Sequence, residues 1–395
     1  MSSSPTLPEP TIAALHHSQT VKEAIQVKIK AAGGWISFAE YMQLALYAPG
    51  LGYYSSGTSK LGGSGDFVTA PEISTLFGRV LARQAMQVMD QTKASHILEF
   101  GAGSGKLALD LLLELEELGC PPEKYCILEV SADLRQRQQT FFENHAPHLM
   151  PIVFWLDQLP DKFNGFMLAN EVIDAMPVHL VIWRGNTVFE RGVSYNNDNF
   201  TWEERPLREG ILFETANKLT AQINASNYQL TSYTSEINLA IPGFLQSIAN
   251  VMDQGLVLLI DYGFGNKEYY HAQRNQGTLM CHYRHHTHDD PFYLPGLQDI
   301  TSHVDFSSVA EAATNAQLEL LGYTTQAHFL LNCGITEILS QTPAENTMEY
   351  LPLSNQLQTL VSPAEMGELF KVIAFGKNIR HSLIGFSSGD KSRLL

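Results

Sequence analysis

The apolar run His96–Phe100 stops on Gly101-Ala102-Gly103-Ser104-Gly105-Lys106, and a leucine-rich stretch of helical period, Leu107–Leu118, follows at once. That order commits the chain to a strand, a tight turn and a helix, the opening of a β-α-β unit. The alternation continues through Tyr125–Val130, a helical stretch to Phe142, then Ile152–Trp155 and Phe166–Ala169. Short runs that are apolar throughout suit strands buried on both faces. The sequence therefore predicts an α/β fold, a parallel sheet with helices on both sides. Leu256–Asp261 resumes the strand pattern, a helix is expected over Ser308–Leu321, and late strands near Thr324–Leu331 and Lys371–Phe375.

The flanking segments have a different rhythm. Val21–Ala32 reads as a helix, Ser37 opens another, and Glu72–Met89 a third, with the glycine-rich loop Gly50–Gly65 and its Tyr53 and Tyr54 between them. Around Arg184-Gly185-Asn186 and Asn196-Asn197-Asp198 the alternation suits antiparallel hairpins. The resulting division is a tail (1–20), an N-terminal cap (21–93), a core (94–177 and 254–380) interrupted by an insertion (178–253), and a polar tail (381–395).

The 395 residues include 25 Lys+Arg against 41 Asp+Glu, a formal net charge of −16. An acidic balance disfavours nucleic acid, whose phosphates want a basic face, and suits a small ligand or a basic protein segment. No apolar run approaches the ~18 residues of a membrane span. Cys120, Cys126, Cys281 and Cys333 form no paired motif, which points to a reducing compartment. Met1–Thr20 has no arginine and no apolar stretch, so it reads as a tail rather than a leader, and a cytoplasmic, bacterial-type protein is expected.

The glycine loop narrows the ligand. A dinucleotide fingerprint needs a third glycine where Lys106 stands; a P-loop needs glycine at Phe100 and Ser or Thr at Leu107. Both fail on spacing. What remains, Glu99 followed by G-x-G-x-G with Ala102 and Ser104 between the glycines, resembles the first motif of S-adenosylmethionine (SAM) methyltransferases. Glu129, with Val130 beside it at the end of the next strand, suits ribose hydroxyls. Asp157 follows the third strand, where it suits an adenine amino group, and Asn170 ends the fourth on the cofactor side. A tight turn with solvated acids is the plainer alternative.

Asn170–Pro177 falls at the carboxyl edge of the sheet, where such folds hold their sites. Glu171 and Asp174 are three apart, so a helical turn would put both on one face. That pair suits a cationic acceptor, above all an arginine guanidinium, which stays protonated in water and is a poor nucleophile. Carboxylates can fix its plane and take its proton. A solvated or capping pair is the alternative. His303 and Asp305 suit a proton acceptor and its partner, or equally a structural pair. Cys281–Asp290 is dense in metal-capable groups but lacks an ordered spacing and contains Arg284, so a polar loop is expected there and no metal.

Taken together, these residues resemble the MidA-like SAM-dependent methyltransferases, whose mitochondrial members are arginine methyltransferases of respiratory complex I assembly. The matching stretches are Tyr47–Tyr54, Gly65–Ser74 with Phe77-Gly78, Glu99–Gly105, Asn170–Val178, Ser235–Asn238, Ile260–Gly263, Tyr283–Pro291 and Pro295–Phe306. The resemblance implies a class I methyltransferase fold with a helical cap and an inserted lid. It implies SAM as donor and, in the characterised branch, symmetric dimethylation of an arginine in a complex I subunit. Position by position, Gly101, Gly103 and Gly105 hold SAM, and Asp66–Glu72, with Asp66, Phe67, Thr69 and Pro71, closes over it. Glu171, Glu236 and His303 face the acceptor. The partner expected is a protein with an arginine acceptor, and a homodimer is the assembly considered. Methyl transfer to a small molecule, or a SAM-binding docking factor, are the competing readings. Intact Glu171, Asp174 and His303 favour catalysis, and the 178–253 insertion favours a macromolecular acceptor.

Overall fold

Seven strands carry the sheet that positions the glycine loop: β1 His96–Phe100, β2 Lys124–Leu128, β3 Val153–Leu156, β4 Phe163–Asn170, β5 Met252–Phe264, β6 Glu319–Thr325 and β7 Phe370–Lys377. The computed structural model describes residues 7–56, 69–226 and 230–395. In space the order is β3-β2-β1-β4-β5-β7-β6. The first five strands run parallel, and β7 is antiparallel to both its neighbours. The short strand Val304–Asp305 pairs beside the end of β5. After β1 the chain steps outward to β2 and β3, then returns to β4 on the other side of β1. The carboxyl ends of β1 and β4 thus flank a topological switch point, where open α/β sheets bind ligands.

This sheet belongs to the larger of two compact units, Val68–Ile173, Pro242–Gly265 and Val304–Leu395. Its core is leucine, phenylalanine and valine from the strands and from the helices Thr75–Thr92 and Lys106–Glu117. The two helices meet at Gly78, where a Cβ would lie 2.6 Å from Asp110 Cβ, and Arg79 locks the crossing by donating to Glu114 at 2.5 Å.

The smaller unit comprises Met1–Phe67, Asp174–Ile241 and Asn266–His303. Its antiparallel sheet joins Trp35–Ser37, His179–Arg184, Thr187–Asn196, Asn199–Pro206 and Tyr233–Ile237. The hairpins turn at Gly185-Asn186 and at Asn197-Asp198, the latter pair with φ of 49° and 61°, the primed-turn geometry that Asn and Asp tolerate. The helices Ile12–Ala31 and Phe38–Tyr47 pack on it through Val21, Ile25, Ile29, Tyr41 and Met42.

Several segments differ from the sequence expectation: the helix expected over Ser308–Leu321 ends at Asn315, where β6 follows from Glu319, and that expected over Glu72–Met89 is broken at Ser74. The first helix begins at Ile12, capped by the Thr11 hydroxyl, rather than at Val21. Thr75–Thr92 packs in the core of the larger unit, not in a cap. The strand expected over Thr324–Leu331 ends at Thr325, whose hydroxyl caps a helix, Gln326–Asn332. Residues 381–395 are not a loose tail: Leu383 is buried, and the backbone of Ile384 and Gly385 donates to Gln87 and Gln84 at 2.9 and 3.0 Å.

Candidate active site

Three glycines make the turn after β1. Gly101, Gly103 and Gly105 have φ of 62°, 55° and 87°, in the left-handed region that costs other residues about 1–2 kcal/mol. Gly101 N–H donates to the Leu128 carbonyl at 3.0 Å and Gly105 N–H to that of Ala102 at 2.8 Å. The Ser104 hydroxyl donates to the Glu72 carboxylate and accepts from Lys106 N–H. Glu72 sits on the short helix Ala70–Ile73, which Thr69 precedes and which contains the buried Pro71. One hydrogen bond therefore ties this segment to the glycine loop. Asp66 and Phe67 lie outside the described residues.

Beside the loop, Glu129 is buried. Its Oε1 accepts from Ser131 N–H at 2.9 Å and its Oε2 from Gln138 Nε2 at 3.1 Å. Its neighbour Val130 is 77% exposed, an apolar surface next to a buried acid. Glu99 lies buried at the end of β1 and accepts from the Tyr125 hydroxyl at 2.7 Å. Burial pushes its carboxyl up to about 7; the Tyr125 hydrogen bond opposes the shift and the nearby Glu129 adds to it. Asp157 points outward, its side chain 88% exposed and ion-paired with Arg135 at 2.7 Å. The same guanidinium donates to the Leu156 carbonyl at 2.9 Å. Arg135 and Gln138 escaped the sequence reading because both sit in a polar helix, Ala132–His145, with nothing in their spacing to single them out.

β4 ends at Asn170, and Glu171 turns the chain with φ of 52°. Its N–H donates to the Ile260 carbonyl at 2.8 Å, and Asn170 Nδ2 donates to its Oε1 at 3.1 Å. Two residues on, Ile173 N–H donates to Asp261 Oδ2 at 2.9 Å, while Asp261 Oδ1 accepts from Tyr262 N–H at 2.9 Å. Asp261 is a further residue to which the sequence reading gave no role. A Cβ on Gly101 would lie 3.6 Å from a Val172 methyl. Glu171 and the glycine loop are thus brought to one switch point. No helical turn joins Glu171 to Asp174, so the expected shared helix face is not formed; a residue at positive φ cannot continue a right-handed turn.

Asp174, Glu236 and His303 belong to the smaller unit. Asp174 is buried, and its carbonyl accepts from Ser302 N–H at 3.0 Å. Glu236 is buried with both oxygens engaged: Oε1 accepts from Thr278 and Leu279 N–H at 2.8 and 3.1 Å, Oε2 from the Thr278 and Tyr269 hydroxyls at 3.1 and 3.3 Å. Burial raises its pKa, against the bonds from Thr278 and Leu279. The Thr278 hydroxyl also accepts from His303 N–H at 3.0 Å. Asp305, in the larger unit, caps the helix Phe306–Asn315, accepting from Ser307 N–H at 3.1 Å and from the Ser308 hydroxyl at 2.6 Å. The histidine-rich run forms a hairpin, Met280–Tyr283 against His286–His288, turning on Arg284 and His285 at positive φ. Among the described residues no group of three or more His, Cys, Asp or Glu is placed to hold a metal ion, and no helix is long and apolar enough to cross a membrane.

The glycine loop thus stands at the switch point of a 3-2-1-4-5-7-6 sheet. Residues 80–324 match the family described as S-adenosyl-L-methionine-dependent methyltransferases. The chain belongs to that family. It is 30% identical to the mitochondrial protein arginine methyltransferase NDUFAF7 of Danio rerio, over 90% of this chain and 86% of that protein. The mitochondrial homologue of Drosophila melanogaster is 28% identical, over 94% and 89%. A crystal structure of a superfamily member from Burkholderia thailandensis, bound to S-adenosyl-homocysteine, superposes with a TM-score of 0.93 at 46% identity, over 99% of this chain and 100% of that one. The methyltransferase uses SAM as its cofactor. One expectation is corrected. The cytoplasmic location inferred from the N-terminal residues is not upheld, since the curated relatives from zebrafish and fly are mitochondrial proteins.

Proposed function

We propose that this methyltransferase moves a methyl group from SAM to a guanidinium nitrogen of a protein arginine, with a respiratory complex I subunit as the acceptor. The relatives named protein arginine methyltransferases support the side chain; the resemblance to the MidA-like family supports the acceptor subunit. The observation that carries the reading is Glu171, a carboxylate held on a left-handed backbone beside the glycine loop. A charged residue kept in a disfavoured conformation marks a site where geometry is retained against its cost.

The residues at the switch point fit SAM. The three left-handed glycines shape a tight turn whose backbone a ligand can approach closely, and Asn170 Oδ1 is a buried acceptor without a hydrogen-bond partner, which suits the ammonium of the cofactor's amino acid end. Glu129 would accept from the ribose hydroxyls and Val130 would lie beside the base, while the Thr69–Glu72 segment is tied to the loop through Ser104. SAM supplies, when bound, a methyl group on a sulfonium that a nitrogen lone pair can displace. Glu171 accepts hydrogen bonds from the guanidinium, fixes its plane and draws positive charge away from the attacking nitrogen; the proton released as the N–C bond forms passes to a carboxylate or to water. Within the smaller unit, Glu236 holds Thr278 and Thr278 holds the backbone of His303, so Glu236 acts by positioning. Asp157 and Asp305 stay with their structural partners, Arg135 and a helix end.

The test is incubation of the purified protein with methyl-labelled SAM and isolated complex I subunits, followed by mass spectrometry of the product peptides. Methyl groups on arginine in one subunit are expected. Label on small molecules alone, or on lysine, would overturn the arginine assignment.

A further inference from the structure

Gln138 is fully buried, and both N–H groups of its amide are directed at the cofactor-binding edge. Its Nε2 donates to the Gly103 carbonyl at 2.9 Å and to Glu129 Oε2 at 3.1 Å. Its Oε1 accepts from Trp155 Nε1 at 2.9 Å. A primary amide has two N–H donors, and these two acceptors take both. The indole N–H can only donate, so it fixes which end of the amide faces the loop. The aliphatic part of Gln138 also packs under the loop: a Cβ on Gly105 would lie 3.5 Å from Gln138 Cγ. One side chain therefore joins the glycine turn after β1, the acid at the end of β2 and the indole on β3.

We infer that Gln138 is the positioning residue that aims the Glu129 carboxylate at the ribose hydroxyls of the cofactor and couples that aim to the glycine loop. The inference rests on the reading of Glu129 as the ribose acceptor. A carboxylate offers about four lone-pair directions, and two fixed donors suffice to set its plane. Ser131 N–H holds one oxygen and Gln138 the other. Without Gln138 the Glu129 Oε2 loses this donor, and the carboxylate is less restrained about its last torsion, which is broad and soft. The hydroxyl pair would then be read by a less fixed group.

A cycle of ligand and residue changes tests this by calorimetric titration. The ligands are S-adenosylhomocysteine and its 2′-deoxyribose analogue; the proteins are the wild type and Gln138→Met, which keeps the volume and removes the donors. Loss of a hydrogen bond to a charged group corresponds to roughly a tenfold to hundredfold weakening, and the wild type is expected to show that preference for the hydroxylated ligand. In Gln138→Met the preference is expected to shrink to within about threefold, while the hydroxylated ligand itself binds about tenfold more weakly. An unchanged hydroxyl preference in the variant would overturn the role of Gln138 alone, because a merely structural residue weakens both ligands equally. No preference in the wild type would overturn the ribose assignment of Glu129 and the inference with it. Trp155→Phe removes the N–H that orients the amide together with part of the ring that packs on Phe142, and the same cycle on it, read as the ratio of the two ligand affinities, decides the matter if Gln138→Met does not fold.

Discussion

Glu171 holds φ at 52° because its neighbours leave no choice: its N–H is bound to Ile260, and the chain two residues on is bound to the buried Asp261. A left-handed non-glycine residue costs about 1–2 kcal/mol, partly offset in a glycine variant by the extra freedom of its unfolded chain. Glu171→Gly is therefore expected to stabilise the protein by about 1 kcal/mol in denaturant melts. Methyl transfer should fall by at least about a hundredfold, with S-adenosylhomocysteine affinity within a few fold. Full turnover in that variant would remove Glu171 from the acceptor role. Glu99 adds a pH dependence. Its folded carboxyl titrates at about 7, against an ordinary value of 4.5, so the fold favours the protonated form. That contribution is complete below about 4.5 and is lost as pH rises through about 7, a difference of roughly 3 kcal/mol. Glu99→Gln should flatten the stability profile across this window and be the more stable protein at pH 8. Parallel profiles for the two proteins would show that Glu99 is not the group responsible.

At the scale of elements, helix contacts decide more than helix propensity. Gly78 lets Thr75–Thr92 approach Lys106–Glu117 until a Cβ would stand 2.6 Å from Asp110 Cβ. Neither atom is the end of a flexible chain, so Gly78→Ala must push the helices apart. A cost of roughly 1–3 kcal/mol is expected, read as a lower melting temperature, although alanine is the better helix former. An unchanged melt would mean that the helices separate without cost. The strands β1 to β5 and the two hairpins were legible because burial on both faces and turn residues leave local marks. The helix Gln326–Asn332 was not. Its residues are apolar enough for a strand, and its start is set by the Thr325 hydroxyl accepting from His328 N–H while Phe329 and Leu330 pack in the core.

For the molecule as a whole, a net charge of −16 makes a basic acceptor the natural partner. Attraction of that kind is screened within about 8 Å at physiological salt and reaches about 30 Å at 0.01 M. The kcat/KM for an arginine-rich acceptor is expected to fall roughly threefold or more between about 20 and 200 mM salt, with SAM affinity nearly constant. An acceptor rate that does not respond to salt would show that shape rather than charge draws the substrate in.

The sequence by itself determined the strand-loop-helix at Glu99–Lys106, since a glycine's tolerance of left-handed angles is a local property. It also placed Glu129 and Glu171 at strand ends, because strand periodicity is local. Only the tertiary structure decided what those carboxylates do with their lone pairs. Glu129 is aimed by Gln138, which the Trp155 indole in turn orients from the next strand. Glu236 is enclosed by donors more than thirty residues away in the chain, and Asp305 is taken up by a helix end. A buried polar group needs a partner, and which partner it finds depends on which segments packing brings within three ångströms of it.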